Sequence, residues 1–514
     1  MGESRLGQLD TDTLFRLGEI DEQFDLSESQ WQTVREAYKA VMELISSGQE
    51  TYGIHTHYGH NVATRVDWQD YQRHQRRLLD YLHVGVGPSL AASTVRRALR
   101  LQCLKVAEGR SGVHPAVLEA VVELSNGRCS HTVPSWGSLG ASGDLIPMAH
   151  AIAPAVKRVG IHGPRDVIGM VNTNATMASL AVENFVAVRD LVERAHEITA
   201  LVSVALRATR EHFTAELFGR SNARQENAQR SAEKILSYHD RFLSREGAQA
   251  SQSPGPAVLQ ERYSVRCAPM ILGNNLDVME FAEKKILMEA LAVADNPVLS
   301  EGDEGDGGGG GPRFLHGGLF YAASLATAAD AMQDTLLKTG EMLDRQVLLL
   351  MDGAWSHGLP NNLALSGAGA GGPAGGGNAG DGGAGAGERG AAAPAAAAGA
   401  DHLKGIHQLL SALRQKLKAS ATRSHELSFS SEQHNQDVLP AAMTAQLQLQ
   451  ASISVARELT RGALFCAKRA SLLRLGQAIP SELALAAWPD FVMEAAAGAA
   501  HPDHAARAAD SNDM

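Results

Sequence analysis

The sequence predicts a mainly α-helical protein: a long antiparallel helix bundle, with a smaller N-terminal α+β region that carries its most informative loop. Three observations lead there. Apolar residues recur at helical spacing from Met177 through Leu180, Phe185, Val188 and Val192 to Ile198. A second stripe uses Ile406, Leu409, Leu410, Leu413 and Leu417, and a third runs from Met443 to Leu475. Stripes that long, with few breakers, suit long helices packed side by side. Strand-like runs are short and scarce, which confines β structure to small pieces near the loops.

The elements follow in chain order. Residues 1–170 read as an N-terminal domain. Within it Pro115 follows His114 as a first-turn proline, and Val117, Leu118, Val121, Val122 and Leu124 repeat at helical spacing until Asn126-Gly127 stops the helix. A further helix starts after Asp144, in DLIPMAHAIAPAV. Residues 171–480 read as the central bundle and 481–514 as a C-terminal tail. The Gly-rich segment 302–312 and the Gly/Ala/Pro segment 366–400 read as flexible linkers without a core contribution. At 514 residues the chain exceeds the usual size of a single core.

Composition narrows the function classes. A net charge of -11 gives no reason to expect nucleic acid or an anionic membrane as a partner. Cys103, Cys129, Cys267 and Cys466 lie far apart, as reduced thiols of a cytoplasmic protein do. The polar start MGESRLGQLD lacks the apolar core of a signal peptide, and no apolar run approaches a membrane span. The expectation is a soluble cytoplasmic protein.

The run GSLGASGDLIPMAH, Gly137 to His150, contains Ala141-Ser142-Gly143. A glycine amide nitrogen has no Cβ beside it and can approach the carbonyl carbon two residues upstream. Closure of Gly143 N onto Ala141 C, with loss of two waters, gives a five-membered imidazolone. Its exocyclic methylidene is the former Ser142 Cβ. The product is an electrophile made from backbone alone.

The segment from Arg100 to His150 resembles the aromatic amino acid ammonia-lyases and related aminomutases almost end to end. The likeness runs on from YGIHTHYG (Tyr52 to Gly59) to EQHNQDVLP (Glu432 to Pro440), with the motifs in family order. It implies the methylidene-imidazolone as prosthetic group, no metal, an amino acid as substrate, and a homotetramer whose sites are shared between subunits. By the same resemblance Tyr52 is the general base for the β-proton, a role that requires its phenol pKa to be depressed. Asn174, in IGMVNTNAT, best matches the asparagine that contacts the ring, and Asn172 matches less well. In LQERYSVRC, Gln260, Tyr263 and Arg266 match three family positions. Arg266 is implied to grip the substrate carboxylate, Tyr263 to handle protons and Gln260 to support by hydrogen bonding.

Other positions bear on substrate. A pair shortly before GVG sets selectivity in the family, and here it is Tyr81-Leu82. Leu82 suits an aryl ring, while Tyr81 can stack like Phe or hydrogen-bond like His. Gln436 stands where histidine lyases carry Glu, and with Glu432 four residues earlier it is expected on one helix face. Leu315 stands at a pocket Phe position, and Phe314 where Asn is common. His55 and His57 also depart from the family; with His60 they make an HxHxxH spacing without a nearby carboxylate or cysteine, so they are expected to rim the pocket or a lid. The expected activity is elimination of ammonia from phenylalanine or tyrosine. An aminomutase, a histidine ammonia-lyase and a silent paralogue stand as alternatives.

Overall fold

The computed structural model describes residues 10–218, 226–247, 255–300, 302, 311–365 and 401–491. It is mainly helical, as the stripes predict. The Met177 stripe lies in the helix Ala175–Leu206, the Ile406 stripe in Lys404–Ala419 and the Met443 stripe, except Leu475, in Ala442–Arg474. Ala268–Leu291 and Ala323–Met351 are two further long helices. Strands among the described residues are short: β1 (Val86–Ser89) pairs antiparallel with β2 (Pro134–Trp136), and β3 (Val298–Ser300) with β4 (Arg313–Leu315). Most of the Gly-rich segment, all of 366–400 and the end of the tail lie outside the described residues.

The chain divides into two compact units. The first holds Met1–Leu191, Asn275–Leu337 and Leu417–Ser454; the second holds Val192–Asn274, Lys338–Lys416 and Val455–Met514.

In the first unit the helices Ala92–Val106, Pro115–Asn126 and Leu145–Val159 pack on one another. Local chemistry sets their ends. The His114 ring nitrogen accepts from Ala116 N at 3.1 Å with Pro115 in the first turn, and Gly160 takes φ +86 where Leu145–Val159 stops. Val117, Leu118 and Val121 are fully buried. Three buried arginines on one helix tether the N-terminal segment through its carbonyls: Arg96 reaches Gly18 O at 2.6 Å, Arg97 reaches Phe15 O at 3.0 Å, and Arg100 reaches Glu22 O at 2.7 Å. Several of their N–H donors meet carbonyl oxygens, while the buried Nε atoms of Arg96 and Arg100 find no partner among the described residues. A second cluster joins Val41 and Ile45 to Ile54, Leu299 and Phe314, so it fixes β3 and β4 beside the Tyr52 loop.

In the second unit Val202, Leu343, Val347 and Phe465 are buried on three of the long helices. Gln346 Nε2 donates to Ser264 O at 2.7 Å and so steadies the segment that carries Tyr263 and Arg266.

Candidate active site

The Ala-Ser-Gly loop is shaped by glycine. Gly137, Gly140 and Gly143 take φ +143, +73 and +76, a region that side-chain-bearing residues rarely adopt. A Cβ on Gly143 would stand 2.2 Å from Thr173 O and 2.7 Å from Thr173 C, so only glycine fits against that backbone. Ser138 ties the loop to itself: its hydroxyl accepts from Gly140 N and donates to Gly143 O, each at 3.2 Å. Gly143 N donates no hydrogen bond among the described residues, so none has to break before it closes on Ala141 C.

Two amide side chains converge on Ser142. Asn172 Nδ2 donates to Ser142 O at 2.8 Å, and Gln436 Nε2 donates to Ser142 Oγ at 2.6 Å. The asparagine whose side chain reaches the Ala-Ser-Gly loop is therefore Asn172, whereas Asn174, the better sequence match, bonds elsewhere. The short helix Ile168–Val171 ends at Asn172 and turns its side chain toward the loop. Asn174 sits just before the helix Ala175–Leu206, fully buried, and bonds Lys105 Nζ at 2.5 Å and Glu289 Oε2 at 2.7 Å instead.

Asp144 anchors the other end of the loop. Its backbone N–H donates to Thr173 O at 2.5 Å. Its carboxylate caps the helix Ala175–Leu206, accepting from Thr176 N at 2.7 Å and Met177 N at 3.0 Å, rather than capping its own helix. Burial pushes this carboxyl up to about 7, against the pull of those two N–H groups and of Lys105.

Gln436 reaches Ser142 from a turn, and this corrects the expected helix face shared with Glu432. Residues Glu432, Gln433 and His434 take φ +48, +52 and +68, and Ser431 bridges to Gln436. The Glu432 carboxylate stabilises the turn by accepting from Asn435 Nδ2 at 2.5 Å and from His60 N at 2.9 Å. It thereby ties the turn to the Tyr52 loop.

Tyr52 is held by its own loop. Its hydroxyl accepts from Gly59 N at 2.7 Å, and its backbone N–H donates to His316 Nε2 at 3.3 Å. Burial pushes the phenol above its ordinary value; the Gly59 N–H opposes this, Glu432 adds to it, and Arg165 opposes it again. The base role asked for a lowered value, and here desolvation sets the opposite sign. Tyr52, Glu50, Thr56, Asn296 and His316 line a cavity of about 440 Å³.

Leu82 is buried at the end of the helix Tyr71–Leu82, while Tyr81 is half exposed. Burial, with Tyr52 and Glu432 as neighbours, raises the Tyr81 phenol. Strand alternation separates the last pair: Phe314 enters the core, and Leu315 faces outward. Of the histidines, His55 Nδ1 accepts from Thr51 N at 3.1 Å and His57 packs edge-on to His74. Among the described residues no three His, Cys, Asp or Glu side chains are grouped as metal ligands.

Gln260, Tyr263 and Arg266 belong to the second unit. Gln260 and Tyr263 are exposed. The Arg266 guanidinium lies 4.8 Å from the Tyr263 ring centroid, its Nε is buried without a hydrogen-bond partner, and among the described residues it meets no carboxylate.

The sequence pattern described as aromatic amino acid lyase matches residues 9–158 and 153–375 of this chain. The chain belongs to the aromatic amino acid lyase family. A relative named histidine ammonia-lyase, from Burkholderia cenocepacia (strain HI2424), is 31% identical over 384 residues, covering 70% of this chain and 72% of the relative. Two solved structures share the family fold. The Pantoea agglomerans phenylalanine aminomutase superposes with TM-score 0.74 at 18% identity, covering 94% of this chain and 92% of its own. The histidine ammonia-lyase from Trypanosoma cruzi gives TM-score 0.70 at 17% identity, covering 92% and 85%. No helix among the described residues of this chain is long and apolar enough to cross a membrane.

The loop fits the family's prosthetic group. Gly143 has its amide uncommitted and no room for a Cβ, and the Ser142 carbonyl, which becomes the ring carbonyl on closure, already receives a donor. Asn172 was within reach of sequence reasoning, because the motif offers two asparagines. Lys105, Thr173, Glu289 and His316 were missed, and only a lone lysine between Leu104 and Val106 hinted at a buried charge.

Proposed function

We propose that this protein is an ammonia-lyase that converts an aromatic L-amino acid, phenylalanine or tyrosine, to the aryl acrylate and ammonia. Its electrophile is a methylidene-imidazolone formed from Ala141, Ser142 and Gly143. The observation that carries the reading is the convergence of Asn172 and Gln436 on Ser142 beside a Gly143 that tolerates no side chain. When formed, the group supplies a carbon that captures the substrate amine. Gln436 donates to the hydroxyl that must depart during closure. Asn172 donates to the carbonyl oxygen on which negative charge accumulates. Tyr52 takes the β-proton, and Tyr263 moves protons at the amine. Arg266 forks onto the carboxylate, with Gln260 in support, in a cytoplasmic homotetramer that shares sites between subunits.

Because burial and Glu432 hold the Tyr52 phenol protonated, it must lose its own proton before it accepts one. The kcat/KM of wild type is therefore expected to climb between about pH 7 and about pH 10. In Tyr52→Phe that climb should disappear together with most of the rate. A wild-type profile flat across that window contradicts Tyr52 as the base.

Leu82 and Gln436 carry no charge for an imidazole substrate, so aryl substrates are favoured; the identity to a histidine ammonia-lyase favours histidine as the second reading. An apolar wall discriminates between rings by only about 1–3 kcal/mol, so phenylalanine and tyrosine are both expected as substrates. The half-exposed Tyr81 hydroxyl tilts the balance to the phenol. Incubation with L-histidine, L-phenylalanine and L-tyrosine, followed by acrylate absorbance and chromatography, decides. Cinnamate or coumarate as the main product supports the reading. Urocanate as the main product moves the assignment to histidine, and β-amino acid appearing ahead of acrylate moves it to the aminomutase.

A further inference from the structure

One cation in the first unit has no part in the chemistry above. Lys105 is the next-to-last residue of the helix Ala92–Val106 and is almost fully buried. Its Nζ donates to Asn174 Oδ1 at 2.5 Å and to Glu289 O at 2.7 Å, and Asn174 Nδ2 returns a bond to Glu289 Oε2 at 2.7 Å. These contacts clamp the segment 172–174 between the helices Ala92–Val106 and Ala268–Leu291.

That segment is the wall of the Ala-Ser-Gly loop. Asn172 holds Ser142 O, Thr173 O accepts from Asp144 N, and the Thr173 backbone closes on Gly143. Asn172 and Thr173, which make these contacts, therefore lie within two residues of the one that Lys105 grips.

A buried ammonium is a costly way to fill the end of a helix, and a Met or Leu would pack there without desolvating a charge. Burial does pull this amine down, to about 7, with Glu289 and Asp144 opposing. The clamp has a purpose that packing alone does not supply. Resting on the reading that Ala141-Ser142-Gly143 cyclises, we infer that Lys105 is a positioning residue for that cyclisation. Through Asn174 it fixes segment 172–174 so that Thr173 and Asn172 hold Gly143 and Ser142 in the geometry that closes the ring.

The test follows ring formation itself rather than turnover. The full chain is made by cell-free translation, and intact mass is sampled over time for loss of two waters, with helix content checked by circular dichroism. Folded Lys105→Met is expected to dehydrate about tenfold or more slowly than wild type, because a buried acceptor on Asn174 and another on Glu289 lose their donor. Lys105→Arg, which keeps charge and donors, is expected to recover most of the rate, a rescue that restored volume alone would not give. If Lys105→Met does not fold, Asn174→Ala cuts the same link and should show the same slowing. Lys105→Met or Asn174→Ala keeping pace with wild type, or folded Lys105→Arg as slow as Lys105→Met, overturns the inference while wild type still dehydrates. Wild type that never dehydrates overturns the prosthetic-group reading, and this inference with it.

Discussion

Ser142→Ala should remove turnover almost entirely, by roughly three orders of magnitude or more, because covalent capture of the amine has no substitute elsewhere in the site. Alanine keeps the loop's backbone preferences but has no hydroxyl to lose, so closure cannot deliver a methylidene. Relative to the chain before closure, the variant lacks one hydrogen bond, from Gln436 to the Ser142 hydroxyl. That single loss is worth about 1 kcal/mol, so the variant is expected to fold. The check is a paired measurement of kcat and of the unfolding transition. A Ser142→Ala enzyme turning over within tenfold of wild type, or one whose inactivity tracks unfolding, contradicts the assigned role.

The second large effect is expected at Arg266. Its guanidinium lies against Tyr263 with a buried Nε that finds no partner, and among the described residues it meets no carboxylate. A guanidinium left in that condition is suited to an incoming carboxylate. Arg266→Ala would leave the substrate carboxylate unpaired, at a cost of about 2–5 kcal/mol in transition-state binding, or roughly 30- to 5,000-fold in kcat/KM. The loss should appear with every amino acid the enzyme accepts, since all carry the same carboxylate. Arg266→Lys, which keeps the charge but not the fork, should recover only part of it. An efficiency within about threefold of wild type removes Arg266 from the site.

Much of this protein was legible in its sequence, for a physical reason. Long helices leave a periodic apolar record: the Met177 and Ile406 stripes each fall inside one helix, and the Met443 stripe overruns its helix only at Leu475. The Pro115 start and the Asn126-Gly127 stop are local events, fixed by a missing N–H and by backbone freedom, and they were read to the residue. The turn at Glu432 to His434 left no such record. Three successive non-glycine residues at positive φ are held by the distant His60 amide and by Asn435, so spacing alone read them as helix. The contacts that distinguish Asn172 from Asn174 left no local record either. Both are short polar residues beside a helix start, and the deciding partners, Ser142 and Lys105, are 30 and 69 positions away. The sign of the Tyr52 shift was out of reach too, because burial is a property of the assembled fold.

Whether the Ala-Ser-Gly loop closes is reported directly by the mass of the wild-type protein. Purified enzyme, confirmed folded, is weighed intact and then mapped by proteolysis. The expected result is the encoded mass less two waters, with the whole deficit in the peptide that contains Ala141, Ser142 and Gly143. A folded wild-type protein at its full encoded mass contradicts the account.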